Sequence, residues 1–169
     1  MKTSITALVT LLLLTTGSNA HPPSPHRSDS LFKKAIERFR EKITGTDTGY
    51  AFSSPRDSVA FVNYFTGLLD RELKTKFQRQ HPAYADRSFE TPGFRLAIQQ
   101  LVFRQTIPPL ASQVIRPVTK APLEFKFLHV KNRLIIFSYT PFQKSEARDK
   151  AIADFEKIYL ELLDEVNND

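Results

Sequence analysis

The residues of this 169-residue chain that are most able to do chemistry lie in a polar stretch at its centre. Residues 83–90 include Tyr84, Asp86, Arg87 and Glu90, which offer a phenol, two carboxylates and a guanidinium. Carboxylates and phenols act as general acids and bases when they converge on one substrate. Because binding and catalytic residues concentrate in loops, we take these four as a candidate loop site between two helices.

Common catalytic motifs are missing from the chain. It has no cysteine, so it has neither a thiol nucleophile nor a disulfide. There is no Gly-x-Ser-x-Gly elbow, no His-Glu-x-x-His helix and no glycine-rich phosphate loop. Ser30 and Lys33 have the Ser-x-x-Lys spacing in which a lysine serves as base for a serine nucleophile, but the companion motifs Ser-Asp-Asn and Lys-Thr-Gly are absent. Ser30 is better placed as a helix cap. We expect a non-enzymatic binding or interaction protein, with a small enzyme built from scattered polar residues as the alternative.

Copper binding is a further hypothesis, and it depends on the start of the mature chain. Cleavage after Ala20 would leave His21 with a free α-amine beside its own imidazole. These two groups, together with a second histidine such as His26, could chelate copper in the manner of a histidine brace. In the alternative interpretation, His21 is only the residue at which the chain is cut. No other cofactor is expected.

The charge of the chain is unevenly distributed. It has 24 Lys and Arg against 18 Asp and Glu, yet residues 144–169 hold eight acids and only four bases. An electropositive face of this kind suits an unidentified acidic protein or an anionic envelope component. The candidate partner-binding residues are Lys33, Lys34, Arg40, Arg71, Lys74, Lys76 and Arg79. The simpler alternative is that these are the solvated faces of amphipathic helices. Nucleic acid is not favoured, because no aromatic residues alternate with the bases.

The amino terminus has the pattern of a secretory signal peptide. Lys2 precedes ten mostly apolar residues, 5–14, and small residues follow at 18–20. Ten residues are too few to span a bilayer, which takes about 20. We therefore predict a signal peptide over 1–20, a proline-rich flexible arm over 21–27 and a single globular domain over 28–169. The protein would be periplasmic or secreted with no transmembrane anchor after cleavage, and the lack of cysteine favours a bacterial source.

Apolar periodicity predicts an α+β domain with about four helices around a small antiparallel sheet. Helical patterns begin near Ser30, at Pro55 and at Pro92, and a fourth covers 143–166. The second pattern continues unbroken for about six turns, as far as residues 81–82.

The sheet is predicted late in the chain. Residues 123–130 and 133–140 alternate as two strands of a hairpin, turned at Lys131 and Asn132, which places Val130 opposite Arg133. We expect the face that carries Phe125 and Phe127 to be the core face. Residues 113–118 are a candidate third strand, restricted to the sheet edge by a proline at 117.

The export prediction is tested by the first residue of the processed protein. Expressed with its own leader in a bacterial host and recovered outside the cytoplasm, the chain should begin at His21. Intact-mass measurement with amino-terminal sequencing reads this directly. A recovered protein that still begins at Met1 would contradict the prediction.

Overall fold

The computed structural model describes residues 29–49, 55–67, 71–80, 82–106, 124–139 and 145–168. In chain order, its elements are α1 (Ser30–Arg40), β1 (Thr46–Gly49), α2 (Pro55–Gly67), α3 (Arg71–Gln80), β2 (Ala83–Glu90), β3 (Arg95–Val102), β4 (Glu124–Val130), β5 (Arg133–Tyr139) and α4 (Glu146–Asn168). The strands form one antiparallel sheet in the order β1-β2-β3-β5-β4. The fold is therefore α+β, and its sheet is larger than the sequence predicted.

Helices cover the sheet on both sides. On one side, Phe155 of α4 meets Phe39 of α1 and Phe137 of β5, with ring centroids 5.4 and 5.8 Å apart. On the other side, Phe65 of α2 packs against Phe125 of β4 at 6.2 Å. The buried apolar residues divide into two clusters accordingly. We call these two sides the α1/α4 face and the α2/α3 face.

The predicted hairpin is confirmed within the described residues. Strands β4 and β5 pair with Val130 opposite Arg133 and Glu124 opposite Tyr139. The face that the sequence favoured is buried, and the opposite face is buried as well. Phe125 and Phe127 are buried on the α2/α3 face, but strand residues on the α1/α4 face are also covered by helices.

The predicted third helix and the predicted loop before it are both wrong. Residues 83–90 form β2, and the residues after Pro92 form β3. The misleading signal was Thr91, whose Oγ1 accepts hydrogen bonds from the backbone N–H groups of Gly93 and Phe94 at 3.3 and 3.1 Å. A threonine that caps a helix makes the same bonds, so the local chemistry of this hairpin turn mimics a helix start.

The long second helix of the prediction is described in two parts, α2 (Pro55–Gly67) and α3 (Arg71–Gln80), and residues 68–70 between them lie outside the described residues. Three other predicted segments lie outside the described residues: the signal peptide over 1–20, the arm over 21–27 and the candidate strand over 113–118.

The start of α1 is fixed by one carboxylate with two partners. Asp29, rather than Ser30, is the cap: its Oδ1 accepts from the backbone N–H of Leu31 at 3.0 Å. The same side chain forms an ion pair with Arg133 at the start of β5. The cap of the first helix is thereby tied to the central part of the sheet.

Gly45 is needed where the chain passes from α1 to β1. A Cβ at this position would lie 2.7 Å from the backbone oxygen of Glu90 and 2.7 Å from the Thr91 side chain. A backbone oxygen held in a sheet cannot move aside as a flexible side chain can.

We expect Gly45→Ala to lower the free energy of unfolding by about 1–3 kcal/mol, because the added methyl must displace the β2–β3 turn. Gly93→Ala is the matched control, since a Cβ there meets nothing within 4 Å. Urea unfolding of both variants measures the difference. Equal stabilities for the two variants would show that the Glu90 backbone oxygen and the Thr91 side chain do not pack against Gly45 as closely as described.

Candidate functional site

A row of buried polar side chains crosses three neighbouring strands on the α2/α3 face. Asp86 of β2, Gln99 of β3 and Ser138 of β5 are 2%, 1% and 8% exposed. Asp86 lies directly opposite Gln99, and Gln99 lies opposite Ile136, two residues before Ser138. We call these three residues and Tyr84 the buried polar row.

The ionisable members of the buried polar row meet in a hydrogen bond. The Tyr84 hydroxyl donates to Asp86 Oδ2 at 2.9 Å. The two residues are two apart on β2, so their side chains point to the same face of the sheet. Burial, reinforced by the Asp86 carboxylate, raises the pKa of Tyr84 far above its usual value. Tyr84 therefore remains a protonated donor at physiological pH.

The neutral members of the row bond to each other. Gln99 Nε2 donates to Ser138 Oγ at 2.8 Å, and the Ser138 hydroxyl donates to Gln99 Oε1 at 3.2 Å. Buried amide and hydroxyl groups need such partners, because leaving one unpaired costs about 1–3 kcal/mol. Sequence reasoning missed both residues, since they are 39 positions apart and only the β3–β5 pairing brings them together.

The four residues of the predicted loop site do not form one site. Tyr84 and Asp86 share the buried polar row. Arg87 is opposite Ile98, whose side chain belongs to the core of the α1/α4 face, so Arg87 points to that other side. Glu90 is exposed at the end of β2 and forms an ion pair with Arg95 at 2.7 Å.

Polar groups on the α1/α4 face tie α4 to the sheet. The Tyr159 hydroxyl donates to Gln100 Oε1 of β3 at 2.7 Å. The guanidinium of Arg148, only 7% exposed, lies 4.1 Å above the ring of Tyr139. Burial raises the pKa values of both Tyr139 and Tyr159, while Arg148 and Arg133 respectively oppose the shift. These contacts bond helix to strand, and we assign them a structural role.

The predicted basic residues lie on opposite sides of the sheet. Lys33, Lys34 and Arg40 belong to α1, whereas Lys74 and Arg79 belong to α3. The backbones of Arg71 and Lys76 place them on α3 as well, but their side chains are outside what the structure describes. The seven candidates therefore do not share one surface.

Ion pairs neutralise part of the α1 charge. Arg40 pairs with Asp47 of β1. Arg38 forms a bidentate pair with Glu165 of α4, both bonds being 3.1 Å, and this raises the pKa of Arg38. The acidic carboxyl-terminal helix thus offsets the basic first helix. Lys33 and Lys34 remain exposed, with Glu37 on the same helix and Glu41 at its carboxyl-terminal cap.

The basic side chains described on α3 have no such compensation. Lys74 and Arg79 are exposed, and neither forms an ion pair with any residue that the structure describes. On a helix of ten residues with a single acid, Glu72, they leave a net positive surface.

The copper hypothesis falls outside the described residues, because His21 and His26 precede them. Within the described ranges, no three or more His, Cys, Asp or Glu side chains are grouped so that they could hold a metal ion. His129, which is among these residues, bonds through Nε2 to the Lys131 carbonyl at 2.9 Å and braces the hairpin turn.

No protein-family model, curated protein or solved structure matches this chain. No helix in the part of the chain that the structure describes is both long enough and apolar enough to cross a membrane.

The buried Tyr84 hydroxyl predicts a loss of stability at alkaline pH. Tyrosine in the unfolded chain ionises near pH 10, whereas Tyr84 in the folded protein holds its proton to a much higher pH. As the pH rises above about 10, the unfolded state alone is stabilised by losing the proton, and the free energy of unfolding falls by up to about 1.4 kcal/mol per pH unit for each such tyrosine.

Urea unfolding between pH 8 and 11 tests this, with Tyr84→Phe as the variant. The variant should lose stability less steeply above pH 10 than the unmodified protein, with Tyr139 and Tyr159 accounting for the remaining slope. Identical slopes would show that Tyr84 does not retain its proton.

Proposed function

We propose that this protein is an exported, non-enzymatic binding protein whose partner is anionic, and that it engages the partner through the exposed basic surface of α3. The leader pattern at the amino terminus supports export to the periplasm or beyond the cell. The observation that carries the binding assignment is the exposure of Lys74 and Arg79 without acidic partners among the described residues.

The buried interior supports the same assignment. In the buried polar row, Gln99 and Ser138 satisfy each other, and Tyr84 donates to Asp86. The reciprocal bonds of Gln99 and Ser138 explain how these two polar side chains are accommodated inside the sheet. Lys74 and Arg79, by contrast, form no ion pair with the residues that the structure describes.

Charge reversal on the two sides of the sheet tests the assignment. The mature protein, beginning at His21, is applied to immobilised poly-L-glutamate and eluted with salt. The double variant Lys74→Glu, Arg79→Glu should elute at clearly lower salt than the unmodified protein, because it removes two attractive charges and adds two repulsive ones at the contact.

Lys33→Glu with Lys34→Glu is the matched control, since it changes the net charge by the same amount on the opposite side of the sheet. We expect it to elute close to the unmodified protein. Equal shifts for both double variants would mean that net charge alone, and not the α3 surface, determines binding.

The second candidate is a small enzyme, and the Tyr84–Asp86 pair favours it, because two ionisable groups converge there in a buried position. A chromogenic ester, a glycoside and a phosphate are tested as substrates. Turnover that is lost in Asp86→Asn and retained in Glu90→Gln would support this function. Activity unaffected by Asp86→Asn would rule out the pair as its site.

A further inference from the structure

The two outer strands of the sheet differ in how well they are protected from pairing with another chain. Strand β1, at one edge, has four residues and a register shift between Asp47 and Gly49. Short strands and bulges are common means of closing a sheet edge. Strand β4, at the other edge, pairs with β5 over all seven of its residues without such a shift. Of the strands that the structure describes, β4 therefore presents the open edge.

The hydrogen-bond pattern shows which residues of β4 face outward. On the β3 side of the hairpin, the Phe103 N–H donates to the Asn132 carbonyl at 2.8 Å. Because bonding alternates along an antiparallel strand, Arg133 and every second residue after it bond to β4 instead. Their partners are the even-numbered residues of β4, from 124 to 130. The backbone N–H and C=O groups of three residues therefore point away from β5, those of Phe125, Phe127 and His129.

The outward groups of β4 have no partner among the residues that the structure describes. No second described strand pairs with β4, and no backbone bond outside the helices and strands reaches Phe125, Phe127 or His129. A lysine on an edge strand commonly discourages pairing. Here, however, Lys126 Nζ binds Glu156 Oε1 of α4 at 3.1 Å, which neutralises the charge and holds it on the α1/α4 face.

Helix α4 runs beside this open edge. Two side chains of the helix contact β4 and the turn that follows it: Glu156 binds Lys126, and Asn167 Oδ1 accepts from Lys131 Nζ at 3.2 Å. Residues four and seven apart share one stripe of a helix, so Leu160 lies between these two contacts. Leu160 is 39% exposed and is one of two large hydrophobic side chains exposed among the described residues.

The opposite flank of α4 faces α1, where Glu165 binds Arg38. Leu160 therefore lies on the side of the helix that is away from α1, alongside the edge strand. On β4 itself, Leu128 and Val130 pack against the core of the α1/α4 face and are only partly buried. We call these three apolar side chains, together with the outward backbone groups of β4, the β4 docking edge.

We propose that the β4 docking edge pairs with the same edge of a second copy of this chain, antiparallel about a two-fold axis at Phe127, and so joins two sheets into one. This register matches all seven residues of each strand. It sets Lys126 opposite Leu128 of the second copy, and Glu124 opposite Val130. An axis at Lys126 would instead place two lysines directly opposite each other, which destabilises a strand pair.

The charges at the ends of β4 favour a second copy in this orientation. Glu124 begins the strand, and Lys131 follows its last residue. Antiparallel pairing brings the acid of each copy close to the base of the other, and it does so at both ends of the strand. The Leu128 side chains lie one residue from the axis, with Leu160 beside them, so the pairing also removes apolar surface from water. The proposal is independent of the anionic partner.

Sedimentation equilibrium of the mature protein, beginning at His21, tests this pairing. We expect a dimer whose fraction rises with protein concentration. His129→Pro removes an outward N–H but no bond to β5, and the two-fold symmetry doubles the loss, so it should weaken the dimer at least about tenfold. His129→Ala is the matched control, because it also loses the ring but keeps the N–H. It should dimerise like the unmodified protein, and circular dichroism verifies that both variants are folded.

Cysteine cross-linking tests the register, because the chain has no cysteine of its own. Proteins carrying Lys126→Cys and Leu128→Cys are mixed and oxidised. The proposed register sets these two positions directly opposite each other, with Cα atoms about 4.5 Å apart, which suits a disulfide. Within either variant alone, the two thiols lie on a diagonal of about 7–8 Å, which is too long. We therefore expect covalent dimers in the mixture and few in either variant alone.

Three results would overturn the proposal. A protein that stays monomeric at every concentration would leave the predicted strand over 113–118, or an extended segment of a different protein, as the occupant of the edge. A dimer that His129→Pro leaves intact would exclude the β4 backbone from the interface. Cross-linking that is as efficient within each variant as in the mixture would contradict the axis at Phe127. Retention on poly-L-glutamate tests the anionic partner separately from all three.

Discussion

Burial of the sheet on both faces is the constraint on which the rest of this structure depends. A central strand covered by helices on either side has no solvent to satisfy its polar side chains. Strand β3 nevertheless places Gln99 and Gln100 next to each other, one on each face. Gln99 bonds to Ser138 of the neighbouring strand, and Gln100 accepts from Tyr159 of α4. Each glutamine thus fixes a contact that purely apolar packing would leave less specific.

The same two-sided arrangement separates the charges of the molecule. The basic α1 and the acidic α4 lie on the same face, and Arg38 pairs with Glu165 there. On the other face, α3 has no acidic helix beside it among the described elements. The sheet therefore places the acidic α4 on the same face as the basic α1 and on the opposite face from α3.

The sequence predicted the elements whose chemistry is local. Helices α1 and α4 each bury one stripe, so their periodicity was readable, and the β4–β5 hairpin was marked by its two-residue turn at Lys131 and Asn132. Strands β2 and β3 were missed because helices cover both of their faces, which removes the usual alternation of apolar and polar residues. Their polar residues, Asp86 among them, further resembled a loop.

The candidate site shows the same division between local and long-range information. Tyr84 and Asp86 were identified by residue type, although in a strand and not in a loop. The Gln99–Ser138 pair depends on the pairing of β3 with β5, two segments distant in the chain, which composition and spacing do not encode. Only Tyr84 and Asp86 of the four predicted loop residues are brought together, because successive residues of a strand point to opposite faces.

Amide hydrogen exchange tests the central claim most directly, namely that helices cover the sheet on both faces. The account predicts that the amides of residues 96–101, in the central strand β3, exchange slowest of those in the described elements. Exchange at 96–101 as fast as at the exposed ends of the helices would contradict it.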